Sequence, residues 1–194
     1  EIFINQPHYF QTDMQRPFIL DCGANIGMAT LYFKYLYPKA RIIAFEPYQP
    51  TFALLARNVR ENGLEDVEQV DKALAASSGK LPFFAGGGNV DGRMCLTSLV
   101  RCWPDMETQL VEAVPLSEFI TQPVDLLKLD IEGAETVVLK EIDAKKKLGF
   151  IRRILLEYHL HIDHATDEFS VSLEILERNG FGYLLRSLSK HGEF

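Results

Sequence analysis

Short apolar runs alternate with amphipathic stretches along this chain, and the runs share a way of ending. Residues 18–20 give way to Asp21-Cys22-Gly23, residues 42–45 to Glu46-Pro47, and residues 124–129 to Asp130. A fourth run, 151–156, is broken by Arg152 and Arg153 and stops at Glu157. Runs this short and this apolar read as strands. Between them, Phe52, Leu55, Ala56 and Val59 recur at helical spacing and stop at Asn62-Gly63, a pairing that caps helix C-termini. Ala134, Val138 and Ile142 form a second helical stripe, and Phe169, Leu173 and Leu176 a third that ends at Asn179-Gly180. Residues 67–70 read as a further strand, and 181–188 as a late one.

Strand, helix and strand in repetition predict parallel strands joined by crossovers, with helices on both faces: a doubly wound, mostly parallel α/β sheet. Ligands of such sheets bind beyond the carboxyl ends of the strands, where strand order reverses. The four terminal carboxylates are expected to gather there. Residues 81–114 break the rhythm. They read as a short strand at 81–84, a loop containing Gly86, Gly87 and Gly88, and another strand near 111–114, an insertion lying over the site within one domain spanning 1–194.

Composition narrows the classes. At 194 residues, with 47% hydrophobic and 24% charged side chains, the chain can bury roughly 70% of its surface, which is incompatible with a mainly disordered protein. A net charge of -7 sets unfavourable electrostatics for binding a phosphate backbone, so nucleic acid is not an expected partner. Cys22, Cys95 and Cys102 are odd in number and lack CxxC spacing, which argues against a disulfide framework or zinc site and for reduced thiols in the cytoplasm. No apolar run reaches membrane-spanning length. The chain opens at Glu1-Ile2-Phe3 without Met, as the core of a longer protein would.

The sharpest local signal is FILDCGANIG over residues 18–27, an apolar strand running into D-x-G-x-x-x-G and then a helix. Gly23 permits a tight turn, and Gly27 lets a ligand approach the helix start, with free N–H groups offered to an anion. Glu46, at the end of the next strand, can accept both hydroxyls of a ribose. Dinucleotide sites favour G-x-G-x-x-G because a pyrophosphate must sit against the helix, but here Asn25 takes the place of the second glycine. A ring of Asp21, Glu46, Asp130 and Glu157 suits a cation such as the sulfonium of S-adenosylmethionine and would repel a pyrophosphate.

With ILDCGANIG (19–27), AFEP (44–47), LKLDIEGAE (127–135), LEYH (156–159) and the VPLSEFI stretch (114–120) in this order, the sequence resembles the FkbM-type S-adenosylmethionine-dependent methyltransferases from about Phe18 to Gly182. The resemblance implies a Rossmann-like class I methyltransferase fold and transfer of a methyl group to hydroxyls of sugars, polyketides and other secondary metabolites. It assigns Asp21, Gly23, Asn25 and Gly27 to the methionine end of the cofactor and Glu46 to the ribose. Asp71 would lie near the adenine, and a turn aspartate is its competing reading. By this resemblance the usual N-terminal extension is expected to be missing and the last strand absent or short, which leaves the acceptor pocket and oligomer contacts open.

An alcohol must lose its proton as it attacks, and the candidate bases are Asp130, Glu132, Glu157 and His159, with His159 or Glu157 expected to face the acceptor. Lys128 shares a strand face with Leu126 and Asp130, and burial there demands a carboxylate partner, read as a structural ion pair. Asp130, Glu157 and His159 could hold Mg2+, but no second adjacent carboxylate completes an oxygen cage, so no metal is assigned. Asn89, Arg93, Ser98, Arg101 and Trp103 read as an acceptor-side lid. The competing functions are a nicotinamide-dependent oxidoreductase, and a module that keeps the cofactor pocket but has lost turnover.

Overall fold

The computed structural model describes residues 8–86, 97–99, 107–159 and 168–186. Its central sheet has five strands, all parallel. They are β1 (Phe18–Cys22), β2 (Arg41–Phe45), β3 (Val67–Val70), β8 (Leu126–Leu129) and β9 (Ile154–Leu156), in the order β3-β2-β1-β8-β9. The chain builds outward from β1 to β3, then returns to the other side of β1 to lay down β8 and β9. The strand order therefore reverses between β1 and β8, at the crevice where α/β sheets take ligands.

Period two along the strands divides the core. Ile19, Ile42 and Leu126 face α1 (Met28–Leu36), packing with Ala29, Tyr32 and Phe33, and Ala44 meets Leu55 and Val59 of α2 (Gln49–Glu61). Leu20, Ile43 and Leu127 point the other way, into a cluster with Val138 and Ile142 of α3 (Glu135–Ala144) and Ile175 and Leu176 of α4 (Phe169–Arg178). Both faces are covered, which is why β1 and β8 are buried at every position. Among the described residues, no helix is long and apolar enough to cross a membrane.

The interval between β3 and β8 forms a second sheet. Here β4 (Ala73–Leu74), β5 (Gly79–Ala85), β6 (Thr97–Ser98) and β7 (Glu107–Val114) take the order β4-β7-β5-β6, antiparallel except for β4 with β7. The two strands read from the sequence are present and longer than expected, whereas β4 and β6 are too short to show a pattern. The late strand expected at 181–188 does not form over 181–186. Phe181 packs on the core, but Leu184 and Leu185 are exposed, and among the described residues no strand pairs with them. Of the expected lid residues, Asn89, Arg93, Arg101 and Trp103 lie outside the described residues, as do Cys95 and Cys102.

Candidate active site at the carboxyl ends of the strands

The loop from β1 to α1 is fixed by two glycines for different reasons. Gly23 adopts φ +78, and a β-carbon there would lie 1.7 Å from the carbonyl oxygen of Asp130, so the end of β8 occupies the space of any side chain. Gly27, at φ +88, would place its β-carbon 2.7 Å from Leu55 Cδ1. The amides of the loop itself, residues 23–27, are already engaged. Gly23 and Ala24 donate to the Phe45 carbonyl, Gly27 to the Ala24 carbonyl, Asn25 to Glu46 and Ile26 to the Asn25 side chain. The turn is so tight, with Asn25 itself left-handed at φ 51, that its amides find acceptors within the protein.

Glu46 is the hub of this loop. Its carboxylate accepts hydrogen bonds from the Asn25 N–H (2.9 Å), the Tyr48 N–H (2.9 Å) and the Thr51 hydroxyl (2.8 Å), tying β1, β2 and α2 together. Burial raises its pKa above the usual carboxylate range, against the pull of those three donors and of Lys128. Three donors on a group with about four acceptor positions leave room for a hydroxyl from a ligand.

Lys128 pairs with Asp21 across the β1–β8 ladder, where the two are register partners. Its Nζ lies 3.5 Å from Asp21 Oδ1 and 3.1 Å from Asp130 Oδ2, and donates to the Gly23 carbonyl at 3.0 Å. Burial opposes the charge, but the two aspartates outweigh it and hold the ammonium well above the ordinary lysine range. Asp21 is fully buried and also accepts the Thr30 hydroxyl at 2.6 Å. Asp21 and Lys128 thus act beneath the site, clamping β1 to β8 and steering Asp130.

A second network joins the ends of β8 and β9. His159 stands between two carboxylates, with Nδ1 3.2 Å from Glu135 Oε1 and Nε2 3.2 Å from Glu132 Oε2. Burial disfavours its charge, but the Glu135 hydrogen bond and the fields of Glu132, Glu135 and Asp130 raise its pKa to about 9. Burial pushes Glu132 up to about 7 despite His159, with Asp130, Glu135 and Glu157 adding repulsion. Glu157 is exposed as a residue, but partial desolvation of its carboxyl, followed by the nearby Asp130 charge, raises its pKa also.

A cleft opens between these networks and the second sheet. Gly23, Asn25, Glu46, Asp130 and Glu132 line it with polar groups, and Lys72 adds a cation. Phe45, Pro47, Leu74, Phe83, Leu99 and Ile131 give it apolar surface, together with Ala73 and Ala134. Asp21, Gly27, Glu157 and His159 do not line it. Neither does Asp71, which is exposed and accepts a hydrogen bond from Gln49, while the side chain after it, Lys72, turns inward. Sequence reasoning passed over Lys72, Phe83 and Leu99, which carry no motif, and Glu135, whose place inside LKLDIEGAE was the one available signal. Asp130, Glu132 and His159 bring ligand-type atoms within 4.8 Å of one another. His159 has both ring nitrogens 3.2 Å from carboxylate oxygens, of Glu132 and Glu135.

Comparison with known proteins gives this geometry a lineage. The profile described as Methyltransferase FkbM domain matches residues 21–183. The chain is similar to Methyltransferase sdnD of Sordaria araneosa, at 30% identity over 81% of this chain and 72% of that one. It is also similar to 31-O-demethyl-FK506 methyltransferase FkbM of Streptomyces tacrolimicus, at 27% identity over 84% of this chain and 72% of that one. The crystal structure of Methyltransferase FkbM from Methylobacillus flagellatus KT superposes with a TM-score of 0.56 at 16% identity, covering 87% of this chain and 39% of that longer one, a likeness of fold. With strands, glycine loop and acidic strand ends in that arrangement, the chain belongs to the FkbM methyltransferase family.

Proposed function

We propose that this methyltransferase uses S-adenosylmethionine to methylate a hydroxyl of a small molecule, secondary metabolite or sugar. The observation that carries the reading is the mixed lining of the cleft, in which the carboxylates of Glu46, Asp130 and Glu132 stand with the apolar side chains of Phe45, Pro47 and Leu74. Carboxylates suit the ammonium, the ribose hydroxyls and the sulfonium of that donor, and the apolar surface suits a purine. The three carboxylates repel a pyrophosphate, and the amides of residues 23–27 are already bonded within the protein. When bound, the donor supplies an electrophilic methyl group.

The chain's own residues then have distinct tasks. Glu46 takes a ribose hydroxyl on its remaining acceptor position. Gly23, Asn25 and Gly27 shape the turn so that backbone, not side chains, borders the methionine end, and Asp130, oriented by Lys128, faces its ammonium. Asp71 points away from the cleft, and Lys72 and Leu74 supply the purine end instead. Among the four candidate bases, Glu132 is favoured to take the hydroxyl proton, because it lines the cleft and its raised pKa places it near neutrality. His159 stands behind Glu132, and the insertion over 81–114 borders the acceptor side through Phe83 and Leu99.

Calorimetry with S-adenosylhomocysteine and with NAD tests the cofactor assignment: heat with the first and none with the second is expected, and the reverse overturns it. Replacing Glu46 with Ala is expected to weaken S-adenosylhomocysteine binding by about 1–3 kcal/mol through lost charged hydrogen bonds, and unchanged affinity removes Glu46 from the ribose. Labelled methyl transfer onto a panel of hydroxyl compounds separates an enzyme from a module that binds without turnover.

A further inference from the structure

We infer that Glu135 is a positioning residue that clamps His159 against Glu132 and so fixes the Glu132 carboxylate at the wall of the cleft. The inference rests on the proposed reading of that cleft for the role of Glu132, but the clamp itself rests on geometry.

Glu135 opens α3 and is 1% exposed, with no contact to the cleft. An acidic residue there commonly caps the helix. Its contacts go further. Oε1 accepts the Ile131 N–H at 3.1 Å, and both carboxylate oxygens accept the Gly133 N–H at 3.0 Å. Ile131 and Gly133 are the two neighbours of Glu132, whose φ of 57 is left-handed and costs a non-glycine residue about 1–3 kcal/mol to hold. Glu135 therefore pins the backbone on either side of a strained residue. Through His159, whose Nδ1 it meets at 3.2 Å, it also places Nε2 at ion-pair distance, 3.2 Å, from Glu132 Oε2 at the end of that residue's side chain. Backbone and carboxylate of Glu132 are both referred to one buried group.

The charges facing His159 come from the loop after β8, with Glu132 and Asp130, and from α3, with Glu135, while Glu157 and Lys128 add their fields to the same network. Of these, Glu135 makes the hydrogen bond that orients the ring, at 3.2 Å from Nδ1. A cap alone would leave the state of His159 indifferent to the charge on residue 135.

The test is Glu135→Gln in the full chain, with His159 titrated by NMR and S-adenosylhomocysteine affinity measured alongside. The amide can still accept the two backbone N–H bonds but carries no charge. The expected result is a fall of the His159 pKa from about 9 by more than one unit, toward its ordinary value of about 6.5, with affinity changed less than about threefold. On an accepted hydroxyl substrate, kcat should fall on the order of 10²-fold at an unchanged KM for the donor, as misplacement of a reacting group does. An unchanged His159 titration and kcat with a lowered Tm would reduce Glu135 to a cap and overturn the inference. If the variant does not fold, Glu132→Gln decides: His159 should stay well above 6.5 through Glu135 alone, and a return to the ordinary value overturns the clamp. Failure of the wild-type chain to bind S-adenosylhomocysteine would instead strike the proposed function and leave the titration result standing.

Discussion

His159 illustrates how far a single side chain's behaviour is set by what surrounds it. An isolated imidazole at this pH would be mostly neutral and a natural base, which is how the LEYH sequence reads. Between Glu132 and Glu135 it is instead held as a cation, and the carboxylate beside it becomes the group that titrates near neutrality. The stability consequence has a definite sign. A histidine raised in the folded state contributes fully below the unfolded value of about 6.5, and its contribution is lost as pH rises through about 9. The melting temperature of the wild type relative to His159→Gln is therefore expected to decline across that window and to be level below it. A difference that grows with pH between 6.5 and 9 would mean that the ring is neutral in the folded protein.

At the level of elements, the meeting of β1 with β8 decides what the site looks like. The Asp21–Lys128 register pair and the contact of Gly23 with the Asp130 carbonyl lock the two carboxyl ends together. Replacing Gly23 with Ala forces either the left-handed φ or the 1.7 Å contact to give, and the end of β8 must move. The expected cost is about 3 kcal/mol or more in urea denaturation, with loss of S-adenosylhomocysteine binding. A variant of unchanged stability and affinity would show that the loop has slack. Much of this was legible in the chain. Apolar runs stopped by acids located the parallel strands, and the Asn-Gly pairs located two helix ends, because buried parallel strands and left-handed C-caps each demand particular residue types. What the chain hid follows from partners distant in sequence. β4 and β6 exist only through their neighbours in the second sheet, and residues 181–186 have strand composition but pair with no strand among the described residues. The glycine loop signalled its turn correctly, but nothing in its sequence tells that its amides point home to Phe45, Ala24 and Glu46.

Across the molecule, the excess of acid has a local counterpart. Lys72, Lys128 and His159 stand among Asp21, Glu46, Asp130, Glu132 and Glu135, so the carboxylates outnumber the cations around the cleft, within a chain of net charge -7. S-adenosylmethionine and S-adenosylhomocysteine differ by one methyl group and one positive charge, and they share the adenosine and the amino acid ends. Their contacts with Glu46 and the apolar surface should therefore cancel when the two are compared, leaving the interaction of the sulfonium with this field. Added salt shortens the reach of that field from about 10 Å at 0.1 M to about 3 Å at 1 M, weakening attraction across the open side of the cleft while leaving short contacts nearly intact. Affinity for the sulfonium compound is therefore expected to fall more steeply with ionic strength than affinity for the thioether, measured by calorimetry in a salt series. Parallel slopes would mean that the surrounding charges are already neutralised by their internal pairings. The donor's charge would then be met by contact with one carboxylate, and Asp130→Asn against Glu132→Gln in the same titration would identify which.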